Sequence, residues 1–96
     1  MKRKDYVRFG DVLDDFFKRP YVAAKVAEGR LPDTWREVVG ERVASLTSSI
    51  RLENRILYVN ISSSVVRYEL FCRRDSLREE INRVSGVRLV NAVIIK

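Results

Sequence analysis

The sequence predicts an α+β domain in which N-terminal helices are followed by a β-hairpin, a long helix and a final strand (ββαβ), giving a three-stranded sheet packed by helices. Three observations carry this. Trp35-Arg36-Glu37-Val38-Val39-Gly40 reads as a helix closed by a glycine; Ile50 to Ile61 switch to a two-residue repeat; and Ser62-Ser63-Ser64 open a long stretch of helical period. With 96 residues, 46% of them hydrophobic, the chain can bury one modest core, since a domain of this size withdraws roughly two thirds of its unfolded surface from water. A single domain is expected over residues 9–96, preceded by a flexible basic arm over 1–8.

The elements follow in order. Val12, Leu13, Phe16 and Phe17 recur at helical spacing, with Asp11, Asp14 and Asp15 near the helix start, where the dipole favours negative charge, and Lys18 and Arg19 near its end. Pro20 stops that helix and opens the next, Tyr21 to Glu28, with Val22 and Val26 on one face and Gly29 at its end. A third helix follows Leu31-Pro32; Thr34 to Glu37 has the spacing of a capping box, and Trp35, Val38 and Val39 share a face. Gly40 interrupts, and Glu41 to Leu46 add another turn or two that carry Val43 and Leu46 to the core.

In the hairpin, Ile50 and Leu52 alternate with Arg51 and Glu53, and Leu57, Val59 and Ile61 alternate with Tyr58 and Asn60, which marks one buried face. The turn falls at Asn54-Arg55. A two-residue turn of the favoured type needs positive φ at both positions, so Arg in place of Gly costs ~1 kcal/mol or shifts the turn type. The serines cap a helix running to Ser85, before Gly86, and Val66, Leu70, Leu77, Ile81 and Val84 form a stripe roughly 60° wide on it. Val87 to Ile95, rich in β-branched residues, is the final strand; after a crossing helix it should lie parallel to Ile56–Ile61.

Composition narrows the function. Nineteen Lys and Arg against 13 Asp and Glu give a net charge of +6, which suits a polyanionic partner, nucleic acid or an acidic protein surface, and equally a plain charged coat. Most of the positive charge is arginine, whose planar fork fits phosphate oxygens. The chain has no histidine, which removes the usual general base and most catalytic zinc sites, and its one cysteine, Cys72, permits no internal disulfide, as befits a cytoplasmic protein. The start Met1-Lys2-Arg3-Lys4 is followed by charged residues and is no signal peptide, and no apolar run approaches the roughly 20 residues of a membrane span. Glycines are too scattered for a phosphate loop, and neither Asp14-Asp15 nor Glu79-Glu80 can share a site, because helical neighbours point about 100° apart. No enzyme activity and no cofactor or metal is expected.

On the long helix Arg67, Arg74 and Arg78 fall within roughly 40° of one another beside the apolar stripe, and Phe71 projects on the same side. Such a ridge, with the Lys2-Arg3-Lys4 arm, can hold phosphates and stack a base; the alternative is a solvated rim paired with Asp75 and Glu79. Phe16, Phe17, Trp35 and Phe71 are at the same time the natural suppliers of core area, while Tyr58, opposite Leu57 and Val59, is either covered by N-terminal helices or offered to a partner.

Leu31 and Trp35 to Gly40, then Val43-Ala44 and Thr47, Ile56-Leu57-Tyr58-Val59, Ser63-Ser64 with Glu69-Leu70, and Ile81-Asn82 with Gly86 together resemble the DciA-like family of bacterial replicative-helicase operators, over Gly10 to Ile95. The resemblance implies a K-homology (KH)-like fold that binds DNA, single-stranded or forked, and helps deliver the replicative helicase, with no catalysis of its own. The GXXG clamp of true KH domains is absent here, so DNA contact is expected from basic side chains. Leu46, Arg55 and Val66 stand where the family often has a histidine, a glycine and an aromatic, all fold positions. Longer relatives carry a C-terminal extension; with the chain ending at Lys96, helicase contact is expected from the domain itself or not at all. An adaptor gripping an acidic protein and an RNA-binding KH-like domain are the alternative readings.

Overall fold

The computed structural model describes residues 19–96. The helix read over Asp11 to Arg19 lies outside them except for its last residue, and the basic arm with Lys2, Arg3 and Lys4 lies outside them entirely. The chain runs α1 (Pro20–Gly29), α2 (Leu31–Val39), α3 (Glu41–Ser45), β1 (Thr47–Glu53), β2 (Ile56–Ile61), α4 (Ser64–Cys72), α5 (Arg74–Ser85) and β3 (Ala92–Ile95). The strands form one mixed sheet in the order β1-β2-β3, antiparallel between β1 and β2 and parallel between β2 and β3, as the order hairpin, helix, strand requires.

Alternation decides which face of the sheet is buried. Leu57, Val59 and Ile61 of central β2 and Val93 of β3 meet Val66, Leu70, Leu77 and Ile81 from the helices that follow the hairpin, with Leu31 and Trp35 closing the core from α2. Leu57, Val59 and Ile81 have no exposed surface, and burial of such side chains contributes about 1.5–3 kcal/mol each. Trp35, 2% exposed, donates its indole Nε1–H to Thr47 Oγ1 at 2.9 Å, and that hydroxyl donates to the Val43 carbonyl at 2.9 Å, so the polar tip of the largest core side chain is satisfied by the start of β1.

The hairpin turn has positive φ at both Asn54 (52°) and Arg55 (64°), with Glu53 opposite Ile56, so a non-glycine residue does occupy the second left-handed position. The Arg55 guanidinium donates to the Arg88 carbonyl, a contact glycine could not make.

Several expectations are corrected. α2 begins at Leu31, before the Thr34–Glu37 box, and Thr34 is a buried interior residue whose N–H donates to the Arg30 carbonyl at 2.9 Å. Pro32 sits in the first turn, where its missing N–H costs nothing. In α1 the buried residue is Ala27, and Val26 turns outward. Phe71 is 47% exposed and contributes little to the core.

The long helix is two. Arg73 has φ −108° and ψ 16°, and its N–H bonds the Leu70 carbonyl at 3.0 Å, three residues back. The sequence explains the break: between Leu70 and Leu77 the buried stripe would have to pass through Arg73 and Arg74, at i+3 and i+4 from Leu70, and burying a guanidinium without a partner is far costlier than interrupting a helix. The turn therefore lifts outward, leaving residues 71–76 exposed, while Leu77 and Ile81 return to the core.

The final strand is also shorter than its composition suggests. Residues 87–91 form no ladder because Asn82 of α5 takes their backbone groups: its Oδ1 accepts from the N–H of Leu89 (2.9 Å) and of Val90 (2.8 Å), and its Nδ2 donates to the Val90 carbonyl (2.9 Å). Leu89 and Val90 are both buried, which a strand with one wet face does not allow for neighbours. Asn91 N–H then bonds the Arg55 carbonyl at 2.7 Å, and β3 begins.

Two expectations on stability follow. Asn82→Leu, close in shape, leaves the Val90 N–H and carbonyl unpaired and the Leu89 N–H with only the Val87 carbonyl, and should lower unfolding free energy by about 3 kcal/mol in urea denaturation. Arg55→Gly relieves the left-handed position and should raise it by about 0.5–1 kcal/mol; a loss instead would mean that the Arg88 carbonyl contact outweighs the backbone strain.

Candidate nucleic-acid interface

α4 starts where Ser63 Oγ accepts the Val66 N–H at 3.3 Å, which orients the helix with Val66 and Leu70 inward. Its outer side then carries Val65 (77% exposed), Tyr68 (71%) and Phe71. The Tyr68 phenol is held above its ordinary pKa, first through a hydrogen bond with the Cys72 thiol one turn on.

The arginines of the expected ridge sit in three different environments. Arg67 lies half-buried between the two faces of α4, donating from Nη2 to the Ile61 carbonyl at 3.0 Å, with a buried Nε that has no partner. It fastens α4 to the end of β2. Arg74, across the helix break, donates from Nη1 to the Phe71 carbonyl at 2.8 Å and lays its guanidinium 4.1 Å from the centre of the Phe71 ring. No carboxylate among the described residues pairs with it, so a cation rests on an exposed aromatic with its charge unneutralised. Arg78 is flanked by carboxylates, Asp75 at 3.9 Å and Glu79 at 3.4 Å.

The hollows follow the same division. Arg67 and Phe71 line one with Ser64, Tyr68 and Ile95, whereas Arg78 lines another of about 740 Å³ with Asn82, Arg83, Arg88 and Asn91, at the far end of α5. There Arg83 pairs with Glu80 at 2.7 Å, and the Glu80 carboxyl is held below its ordinary pKa, first by that hydrogen bond and then by the guanidinium charge. A depressed carboxylate contributes stability that is complete above its unfolded value and lost as pH falls through the folded one, so acidification frees Arg83.

The outer face of the sheet forms another cationic and aromatic group that the ridge reading did not include. The Arg51 guanidinium lies 4.6 Å and Lys96 Nζ 5.4 Å from the centre of the Tyr58 ring, and Asn60 Nδ2 donates to Ser49 Oγ at 2.6 Å beside them. These five residues line a hollow of about 300 Å³ to which no described helix contributes a residue, and Tyr58 is half-buried there. Alternation had already put Tyr58 and Arg51 on this side; what the sequence lacked was the register of β3, which brings Lys96 alongside.

A family model described as "Dna[CI] antecedent, DciA" matches residues 8–95. The chain belongs to the DciA family. No curated protein matches it. DciA proteins are helicase loaders or operators, so membership gives this chain a role in replication and implies the replicative helicase as a partner. Among the described residues no helix is long and apolar enough to cross a membrane, and no cluster of His, Cys, Asp and Glu is fit to hold a metal.

The differing arginine environments separate fold from surface. Arg67→Ala should cost about 1–2 kcal/mol of unfolding free energy through the lost carbonyl contact and stem packing, whereas Arg74→Ala should stay within about 0.5 kcal/mol of the parent; equal effects in chemical denaturation would contradict the assignment.

Proposed function

We propose that this DciA-family chain is a non-catalytic cytoplasmic DNA-binding module of KH-like architecture, which holds single-stranded or forked DNA without reading its sequence while the replicative helicase is loaded. The observation that carries the reading is the Arg74 guanidinium on the exposed Phe71 ring without a carboxylate partner among the described residues. A cation and a π-face side by side are what a phosphate and an unpaired base require. Arg78, at the next turn of α5, adds positive charge that Asp75 and Glu79 partly offset, and Lys2, Arg3 and Lys4 supply the rest from the arm. Arg67 supports the same surface by fixing α4 to the sheet. With histidine absent from the chain, the usual general acid and base are missing, in keeping with a binding role.

A second reading has its own observation. Val65 and Tyr68 present apolar surface to solvent on α4, and such a strip is commonly covered by a protein partner. An adaptor that meets the replicative helicase through α4 uses that surface whether or not DNA is held.

Affinity for an oligo-dT strand, measured by fluorescence anisotropy across a salt series, tests the DNA reading. Five contacts, from the three arm residues with Arg74 and Arg78, give an expected slope of log affinity on log salt of about −3 to −4. Changing Arg74 and Arg78 to Glu should flatten the slope and weaken binding at least tenfold. A flat response in the parent, or unchanged binding in that variant, overturns the assignment; retention of purified helicase after nuclease treatment, with no oligo-dT binding, would leave the adaptor, and tighter binding of an RNA strand of equal length would move the site to RNA.

A further inference from the structure

We propose that the outer face of the sheet is a stacking platform for an unpaired base of single-stranded DNA, centred on Tyr58 and flanked by Arg51 and Lys96. The proposal rests on the nucleic-acid reading above and assigns that strand a second surface, separate from the α4–α5 ridge.

The register builds the platform. Arg51 of β1 stands opposite Tyr58 of β2, and Tyr58 opposite Ile94 of β3, so a cation, an aromatic ring and an aliphatic side chain form one row across all three strands. In the neighbouring row Ser49 pairs with Asn60, and the parallel ladder extends past β3, where Lys96 N–H bonds the Val59 carbonyl and the Lys96 carbonyl accepts from Ile61 N–H, both at 2.8 Å. A sheet with one wet face normally turns polar residues to water, yet this one carries a half-buried tyrosine and an isoleucine that is 39% exposed. Neither serves the core, which lies on the other face with Leu57, Val59 and Val93.

Spacing suits one nucleotide. Arg51 and Lys96 lie on strands either side of β2, two inter-strand steps or roughly 10 Å apart, with Tyr58 between them. A base laid on the Tyr58–Ile94 surface thus has a cation on each side for its flanking phosphates. Arg51 and Lys96 already approach the ring, at 4.6 and 5.4 Å, and a guanidinium plane is itself a stacking surface for a base, so the base can extend the stack as well as replace one member of it. Glu53, 3.8 Å from Arg51, offsets part of that charge at the sheet edge. The Ser49–Asn60 amide and hydroxyl offer hydrogen bonds to a base edge beside the ring. A duplex keeps its bases stacked on one another and cannot use the platform, which makes single strands the substrate class.

The experiment compares Tyr58→Ala, Tyr58→Phe and the parent chain on an oligo-dT strand and on a duplex of equal length, with amide and aromatic NMR shifts of the parent followed on titration with the same strand. Tyr58→Ala should bind oligo-dT about tenfold more weakly, Tyr58→Phe within about twofold of the parent, and the duplex should not distinguish the three. In the parent, Arg51, Tyr58 and Asn60 resonances should move, a readout that holds even where Tyr58→Ala fails to fold. Shifts confined to the α4–α5 ridge, with oligo-dT affinity untouched by Tyr58→Ala, overturn the platform and leave DNA binding standing. Equal losses on strand and duplex also overturn it, by showing that stacking is not what was removed. No binding by the parent overturns both readings.

Discussion

The side-chain amide of Asn82 is the constraint on which the rest of the structure depends. Its three hydrogen bonds to Leu89 and Val90 turn the chain after α5 so that two successive apolar residues are buried and β3 enters beside β2 in parallel register. The Asn91 N–H to the Arg55 carbonyl and the Arg55 guanidinium to the Arg88 carbonyl tie the hairpin turn into the same junction. Helix end, hairpin turn and last strand are thereby one unit, because each supplies backbone groups that would otherwise be buried or left unpaired. The outer face of the sheet inherits its geometry from this junction: without the β3 register Lys96 has no fixed place beside Tyr58.

The break at Arg73 is the second constraint, and it links packing to surface chemistry. A helix that must bury Leu70 and Leu77 cannot also bury the arginines between them, and the outward turn that resolves the conflict brings Arg74 over Phe71. The same step separates Arg67 from Arg78, giving one to the fold and the other to a carboxylate-flanked end of α5. A basic protein's positive charge is therefore unevenly usable. Arg36, Arg78 and Arg83 are offset by nearby acids, while Arg74 keeps its charge against an aromatic ring.

Much of this was legible in the chain. Alternation from Ile50 to Ile61 marked the hairpin and its buried face, Asn54-Arg55 marked its turn, and the order of elements implied the parallel pairing of the last strand. Phe71, Arg74 and Arg78 could be named as surface candidates from spacing alone. Where the reading missed, a longer-range interaction had overridden a local pattern. β-Branched residues at 87–91 suggested strand, but an amide from α5 claimed their hydrogen bonds. Thr34 and Glu37 had the spacing of a cap, but Pro32 admits an earlier helix start. The near-continuous stripe from Val66 to Val84 suggested one helix because angular position takes no account of the cost of burying Arg73.

By itself the sequence determined the α+β class, the succession of elements, the sheet's buried face and membership in the DciA family, since each depends on periodicity or on residues ordered along the chain. The tertiary structure alone decided which arginines serve the fold, which are offset by acids and which stand at the surface without a carboxylate partner among the described residues, and that Tyr58 shares its hollow with Arg51 and Lys96. Those outcomes depend on distances between groups far apart in sequence, set by register and by the partner each polar group finds, and local pattern carries no record of either.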